Sequence, residues 1–381
     1  MNTNNSDDPR VLFVCKTNTL GGMERVFGNL STVWQTQYPR TSHFVVLSTS
    51  SRLKDFFEPY HNPRVIEPIR VVSKKPLWWR FLIRSAGLPR SHTIVSFSND
   101  LTLVLGLLSF IGVSRYRLVA RGLTNFSKEN RLRASKRLPT SFLTSLLQVA
   151  YRGVDAVIVQ SNGMAHDYHQ TFKIAHDRLH VIPNPVSPGL IAPPEESRDE
   201  SIEHSEGTLF LFIGRLEPIK QVHILLNSFA EVVEQMPETR LLLVGTGSQY
   251  GRLKQQATDL DLERNVTFIE YTDDVQSLYR RAAATVLTSA SEGLPNVLIE
   301  SITVGTPVVS FNCPSGPREI IVDGENGILV PNNDQISLVR VMLGIAKGNI
   351  VFSRECVRHT AARFLPEKVV EAYAEIISPR S

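Results

Sequence analysis

Two open α/β sheets of parallel strands are predicted for this 381-residue chain, on three observations. Short β-branched runs alternate with helical-period segments from end to end, as in parallel strands joined by crossover helices. The length exceeds the usual reach of one hydrophobic core. Near the middle, Pro183-Asn-Pro-Val-Ser-Pro188 and then Ala192-Pro-Pro-Glu-Glu-Ser-Arg-Asp-Glu interrupt the alternation. Proline fixes its own φ and restrains the residue before it, and the acidic remainder has little to bury, so this stretch reads as a linker.

The strands predicted for the first half are 11–15, 44–47, 93–97, 116–120 and 156–159. Those for the second are 209–213, 240–244, 266–269, 285–287 and 308–310, with helices at 223–235 and 275–283 between them. The longest apolar run, 101–113, falls short of the roughly 20 residues of a membrane-spanning helix and reads as a buried helix. The division is a first domain at 1–186, a linker at 187–207 and a second domain at 208–365. Residues 366–381 form a C-terminal helix able to pack back on the first domain, and there is no internal repeat of fixed period.

An apolar content of 42% suits a globular chain rather than a disordered one. Cys15, Cys313 and Cys356 lie far apart with no CxxC pair, which argues against a zinc site or a disulfide framework and for a reducing, cytoplasmic location. The polar, acidic N-terminal residues lack the basic region and apolar core of a secretory signal. Residues 1–190 carry 24 Lys and Arg against 11 Asp and Glu, whereas residues 191–381 carry 17 against 26. Such a basic half points to a polyanion, either nucleic acid or an anionic membrane. With no reading helix, zinc finger or RNP pattern, nucleic acid is set aside.

Ligands of open α/β sheets bind beyond the carboxyl ends of the strands, so the chemistry is sought in those loops. After the first strand, Gly21 and Gly22 open a helical segment at 26–34. Paired glycines there either serve a turn or bring backbone N–H groups to an anion at a helix N-terminus. After strand 209–213, Gly214-Arg-Leu-Glu-Pro-Ile-Lys220 sets two cations at a strand mouth. Arg215 and Lys220 can reach a diphosphate and stabilise it as a leaving group, or Arg215 pairs with Glu217 and Lys220 is a solvated charge. After strand 285–287 comes Ser289-Ala-Ser-Glu-Gly-Leu-Pro-Asn-Val-Leu-Ile-Glu300. Pro295 suits a first helical turn, so Leu294, Pro295, Asn296 and Val297 are read as a helix N-terminus, with Glu292 upstream and Glu300 in the second turn. Glu300 can accept hydrogen bonds from two vicinal ribose hydroxyls and Glu292 can contact a sugar, or both are helix-start charges.

In that order, the Gly-Gly loop, Arg-x4-Lys and Glu-x7-Glu resemble the retaining glycosyltransferases of family four. The likeness extends over almost the whole chain, through Ile182-Pro-Asn-Pro-Val186 to Gly324-Glu-Asn-Gly327. It implies the GT-B fold, two Rossmann-like domains facing each other across a cleft, and transfer of a sugar from a nucleotide donor. The implied roles are diphosphate for Arg215 and Lys220, ribose for Glu300, donor sugar for Glu292, and the phosphate pocket for Gly21 and Gly22. The implied catalysis retains configuration and uses no metal or other cofactor.

Cys313-Pro-Ser-Gly-Pro-Arg-Glu319 looks like a variant found among bacterial transferases of galactose, N-acetylgalactosamine and related sugars from UDP, active in surface polysaccharide and lipopolysaccharide assembly. By that likeness Gly316 lets the backbone approach the donor sugar and Glu319 bonds its hydroxyls, while a structural turn accounts for Pro314 and Pro317. Many relatives carry a histidine in the acceptor-side loop, where this chain reads Arg121-Gly-Leu-Thr-Asn125. Arg121 and Asn125 are therefore candidates for acceptor or donor contact, unless Arg121 only pairs with nearby acids. A UDP-sugar epimerase or hydrolase of the same build, and a non-catalytic UDP-sugar or glycan-binding protein, are the competing readings. An epimerase or hydrolase needs a positioned acid/base pair in the first domain, and none is visible.

Arg70-Val-Val-Ser-Lys-Lys-Pro-Leu-Trp-Trp-Arg-Phe-Leu-Ile-Arg84 interleaves cations with indole rings. Lys74, Lys75, Trp78, Trp79, Arg80 and Arg84 either form a face for peripheral attachment to the inner leaflet of the cytoplasmic membrane or a helix with core tryptophans and a solvated face. The first reading suits a glycan or polyprenyl-diphosphate-linked acceptor.

Overall fold

The computed structural model describes residues 11–17, 21–38, 42–48, 50, 52–57, 70–72, 87–88, 91–122, 126, 140–191 and 207–377. The chain divides into two compact units, residues 1–187 with 364–381, and residues 188–363.

The first unit holds a seven-stranded sheet of order β3-β2-β1-β4-β5-β6-β7, parallel at each pairing. Its strands are β1 Val11–Lys16, β2 Ser42–Leu47, β3 Arg70–Val72, β4 Thr93–Ser96, β5 Arg117–Arg121, β6 Ala156–Val159 and β7 Leu179–Val181. The second unit holds a six-stranded parallel sheet of order β10-β9-β8-β11-β12-β13. Its strands are β8 Leu209–Ile213, β9 Arg240–Val244, β10 Val266–Ile269, β11 Ala284–Leu287, β12 Val308–Phe311 and β13 Gly327–Val330. Both are Rossmann-like, and the strand order reverses between β1 and β4 in one and between β8 and β11 in the other.

Aromatic packing fills one side of the first sheet, where Phe13 stacks on Phe44 at 4.4 Å and meets Trp34 edge-on at 4.9 Å. Val369, Val370, Tyr373 and Ile377 of the helix Pro366–Ile377 are buried in that same cluster.

The structure corrects several expectations. Run 101–113 is not a buried helix: Asn99–Phe110 is helical, but it buries only Leu101, Thr102, Leu105 and Gly106. The predicted linker begins with a short helix, Pro188–Ile191, that belongs to the second unit. Strands β3, β7 and β13 were not predicted. Strands β3 and β7 are only three residues long, with a basic stretch after the one and His180 at the centre of the other, and β13 starts on Gly327. Among the described residues no helix is long and apolar enough to cross a membrane.

Candidate active site

In the second unit, loops from four strand ends converge where the strand order reverses. The loop after β8 takes its shape from its neighbours: Gly214 N–H donates to Val244 C=O at 2.9 Å and Leu216 N–H to Thr246 C=O at 2.8 Å. Across the reversal, Ala290 N–H reaches Ile219 C=O at 2.9 Å and Thr288 Oγ1 donates to Lys220 C=O at 3.1 Å. The segments after β8 and β11 are thus fixed to each other by a main-chain bond and by the Thr288 hydroxyl.

On that frame Lys220 Nζ and Glu292 Oε1 stand 2.6 Å apart, with side chains 16% and 11% exposed. Lys220 is therefore not a solvated helix-start charge. Arg215 does not pair with Glu217 in a hydrogen bond: it is exposed, while Glu217 accepts from the Ser248 backbone N–H at 3.1 Å and hydroxyl at 2.6 Å. Those two bonds hold the Glu217 carboxyl below its ordinary range, and Arg215 adds to the effect. Ser315 Oγ, after β12, donates to Glu292 C=O at 2.5 Å and ties that loop in as well.

The helix Asn296–Val304 starts one residue later than expected, with Pro295 at the N-cap position. It buries Leu298, Ile299 and Ile302, and its fifth residue, Glu300, accepts a 2.9 Å hydrogen bond from the hydroxyl of fully buried Tyr279. Gly316 has φ +91, and a Cβ there would lie 2.7 Å from Gly293 C=O and 2.8 Å from Pro295 Cδ. Only glycine fits. Glu319 lies in the short helix Pro317–Ile320, where its carbonyl accepts from Arg363.

Sequence reasoning passed over three contributors to this site. Tyr279 and Ser315 act through single hydroxyls with no spacing pattern, whereas Gly245-Thr-Gly-Ser248 after β9 carried a readable glycine signal. A Cβ on Gly245, at φ +142, would stand 2.0 Å from Gly214 C=O.

In the first unit, Gly21 is extended at φ −168, so no positive φ requires it. A Cβ there would come 3.3 Å from Glu24 Oε2. Glu24 is buried, takes a hydrogen bond from Thr17 and places a carboxylate in the first turn of the helix Gly22–Gln37. Arg121 neither pairs with an acid nor stands open to an acceptor. At 3% exposure it donates to Tyr373 Oη at 2.8 Å and Asn184 Oδ1 at 2.5 Å, with Phe97 beneath at 5.1 Å. Burial raises the Tyr373 hydroxyl's pKa, opposed by the guanidinium. Asn125, Lys74, Lys75, Trp78, Trp79, Arg80 and Arg84 lie outside the described residues. Among the described residues no group of three His, Cys, Asp or Glu is placed to hold a metal ion.

Residues 20–190 match the family model described as Glycosyltransferase Family 4, and residues 194–356 match that of Glycosyl transferases group 1. An uncharacterized glycosyltransferase of Haemophilus influenzae is 35% identical over 135 residues, 35% of this chain and 38% of that protein. An alpha-1,4-N-acetyl-D-galactosaminyltransferase of Campylobacter jejuni, whose name gives a PP-undecaprenol-linked glycan, is 29% identical over 57% of each chain. The chain thus spans about two fifths to three fifths of these relatives. HepE from Anabaena in complex with UDP superposes with a TM-score of 0.79 at 20% identity, covering 97% of this chain and 100% of that one, a likeness of fold. With two GT-B-type Rossmann-like units and the two family models following one another along it, the chain belongs to the family 4 glycosyltransferases.

Proposed function

We propose that this protein is a retaining, metal-independent glycosyltransferase that moves a hexose or N-acetylhexosamine from a UDP-sugar to a glycan or lipid-linked glycan at the cytoplasmic face of a membrane, in surface polysaccharide assembly. The observation that carries the reading is the Lys220–Glu292 pair at 2.6 Å, set at the strand-order reversal. A diphosphate entering there meets Lys220 and exposed Arg215, and its arrival exchanges one anion for another on the ammonium. Glu292 is then released toward the sugar, while Glu300, oriented by Tyr279, is positioned to accept from the ribose hydroxyls. As the bond from the anomeric carbon to the diphosphate oxygen breaks, negative charge grows on that oxygen and the two cations stabilise it. The acceptor oxygen bonds to the same face of the carbon, and its proton passes to the departing diphosphate. The name of the Campylobacter jejuni relative favours N-acetylgalactosamine and a lipid-linked acceptor.

A donor screen with UDP release as readout, run with a polyprenyl-diphosphate-linked glycan, tests the activity. One UDP-sugar is expected to give glycosylated lipid with the anomeric configuration of the donor, and EDTA is expected to leave the rate intact. Binding without product would reduce the protein to a sugar-nucleotide binder. A full loss of activity restored by Mg²⁺ would overturn the metal-free mechanism.

A further inference from the structure

The helix Asn99–Phe110 is apolar on nearly every side, yet it lies at the surface of the first unit and buries only four of its twelve residues. Such a helix ordinarily belongs to an interior or a membrane. Leu107 is half-buried, as is Leu103, which packs against the core. Phe110, Ile111 and Val113 at its end are 47%, 65% and 55% exposed.

We propose that this helix end and the turn that follows it are a membrane-docking tip, whose apolar residues enter the headgroup region of an anionic bilayer while Arg115 and Arg152 engage lipid phosphates. Three features of the tip support this occupant. The backbone donors need no water: the N–H groups of Ile111, Gly112 and Val113 donate back to Leu107, Ser109 and Leu108 carbonyls, each at 3.0 Å, and that of Ser114 to Leu108 C=O at 3.4 Å. Unsatisfied amide donors are what excludes most turns from an apolar medium. The rim is cationic. The helix Thr140–Arg152 ends against the same place, since a Cβ on Gly153 would lie 2.6 Å from Phe110 N, so exposed Arg152 and exposed Arg115 flank the tip. Of the nearby acids, Asp155 is engaged by the Leu118 N–H at 2.7 Å, and Asp100 at the far end of the helix pairs with Lys16. The helix has twelve residues, which suits lying in the interface rather than spanning it.

The proposal deepens the reading of a membrane-held acceptor, but vesicle binding is measured without donor or acceptor, so its failure is separable from failure of sugar transfer. The full chain is sedimented with vesicles rich in phosphatidylglycerol and, separately, with pure phosphatidylcholine. Binding to the first, weakened by salt, is expected. Arg115→Gln with Arg152→Gln should lower vesicle affinity about 30-fold, two cations each contributing about fivefold. Phe110→Ser, Ile111→Ser and Val113→Ser together should lower it more than about 100-fold. These residues are exposed, so UDP-sugar binding serves as the folding control. Insertion is read directly from Ile111→Cys in a Cys356→Ser background, because Cys15 and Cys313 are buried and only the tip accepts an environment-sensitive label. Label emission should rise and shift to the blue on anionic vesicles. Unchanged emission, or equal sedimentation of the triple variant and the parent, would overturn the proposal. So would a dimer in light scattering that the triple variant dissolves, which would make a second copy the occupant.

Discussion

At 2.6 Å from Lys220, Glu292 is held by the same ammonium that is proposed to receive the donor diphosphate. Coulomb attraction at that separation is large where solvent is scarce, and these side chains are mostly covered. Two opposite effects are therefore expected from Glu292→Gln. Lys220 loses its competing anion, so UDP alone should bind about 3- to 10-fold more tightly in calorimetry, a gain of roughly 0.7–1.4 kcal/mol. The sugar loses a carboxylate partner, so turnover of UDP-sugar should fall at least about tenfold, the loss of roughly one charged hydrogen bond. A variant in which both quantities fall together would mean that Glu292 holds Lys220 in place rather than competing for it. Arg121 was legible as an unusual residue but not as an internal one, because its partners Tyr373 and Asn184 lie 252 and 63 positions away. No spacing rule joins a strand end to a C-terminal helix over that distance.

The strands and helices that position this site were mostly readable, for a physical reason. Five of the six strands of the second unit are short runs rich in Val, Ile, Leu and Phe, the signature of strands covered on both faces. What could not be read is how loops from β8, β9, β11 and β12 brace one another, since that depends on the strand order. Gly316 is where bracing is tightest, with the loop after β12 pressed on Gly293 and Pro295. Gly316→Ala would need a positive φ and a 2.7 Å approach to a carbonyl oxygen, so the loop must shift. The expected cost is about 1–3 kcal/mol in stability, read from denaturant midpoints. Because Ser315 next to it holds the Glu292 carbonyl, KM for the donor should rise as well. Unchanged stability and KM would mean that the loop yields without disturbing Glu292.

For the whole molecule, the chain leaves the first unit and ends back inside it. Residues 364–381 belong with 1–187, and Val186 N–H donates to Phe364 C=O at 3.0 Å where the outgoing and returning segments run side by side. The returning helix completes the core under β1 and β4: Val369, Val370, Tyr373 and Ile377 are each no more than 2% exposed and share a cluster with Phe13, Phe27 and Trp34. Thr93 Oγ1 and Arg117 Nη1 also donate to the Ile377 carbonyl, at 3.2 and 3.4 Å. Removing 366–381 therefore uncovers large apolar side chains of the first unit and strips Tyr373 from the buried Arg121 guanidinium, while leaving residues 188–363 of the second unit intact in sequence. Each buried aliphatic or aromatic side chain lost in this way is worth about 1.5–3 kcal/mol, so four of them approach the total stability of a typical domain. Hydrogen exchange of the truncated chain should show β1, β4 and β5 losing protection while β8, β9 and β11 keep it, and calorimetry with UDP should still find the Lys220 site. Equal loss of protection in both sheets would mean that the two units fold as one cooperative body, and the C-terminal helix would then hold up the donor site as well as the sheet it covers.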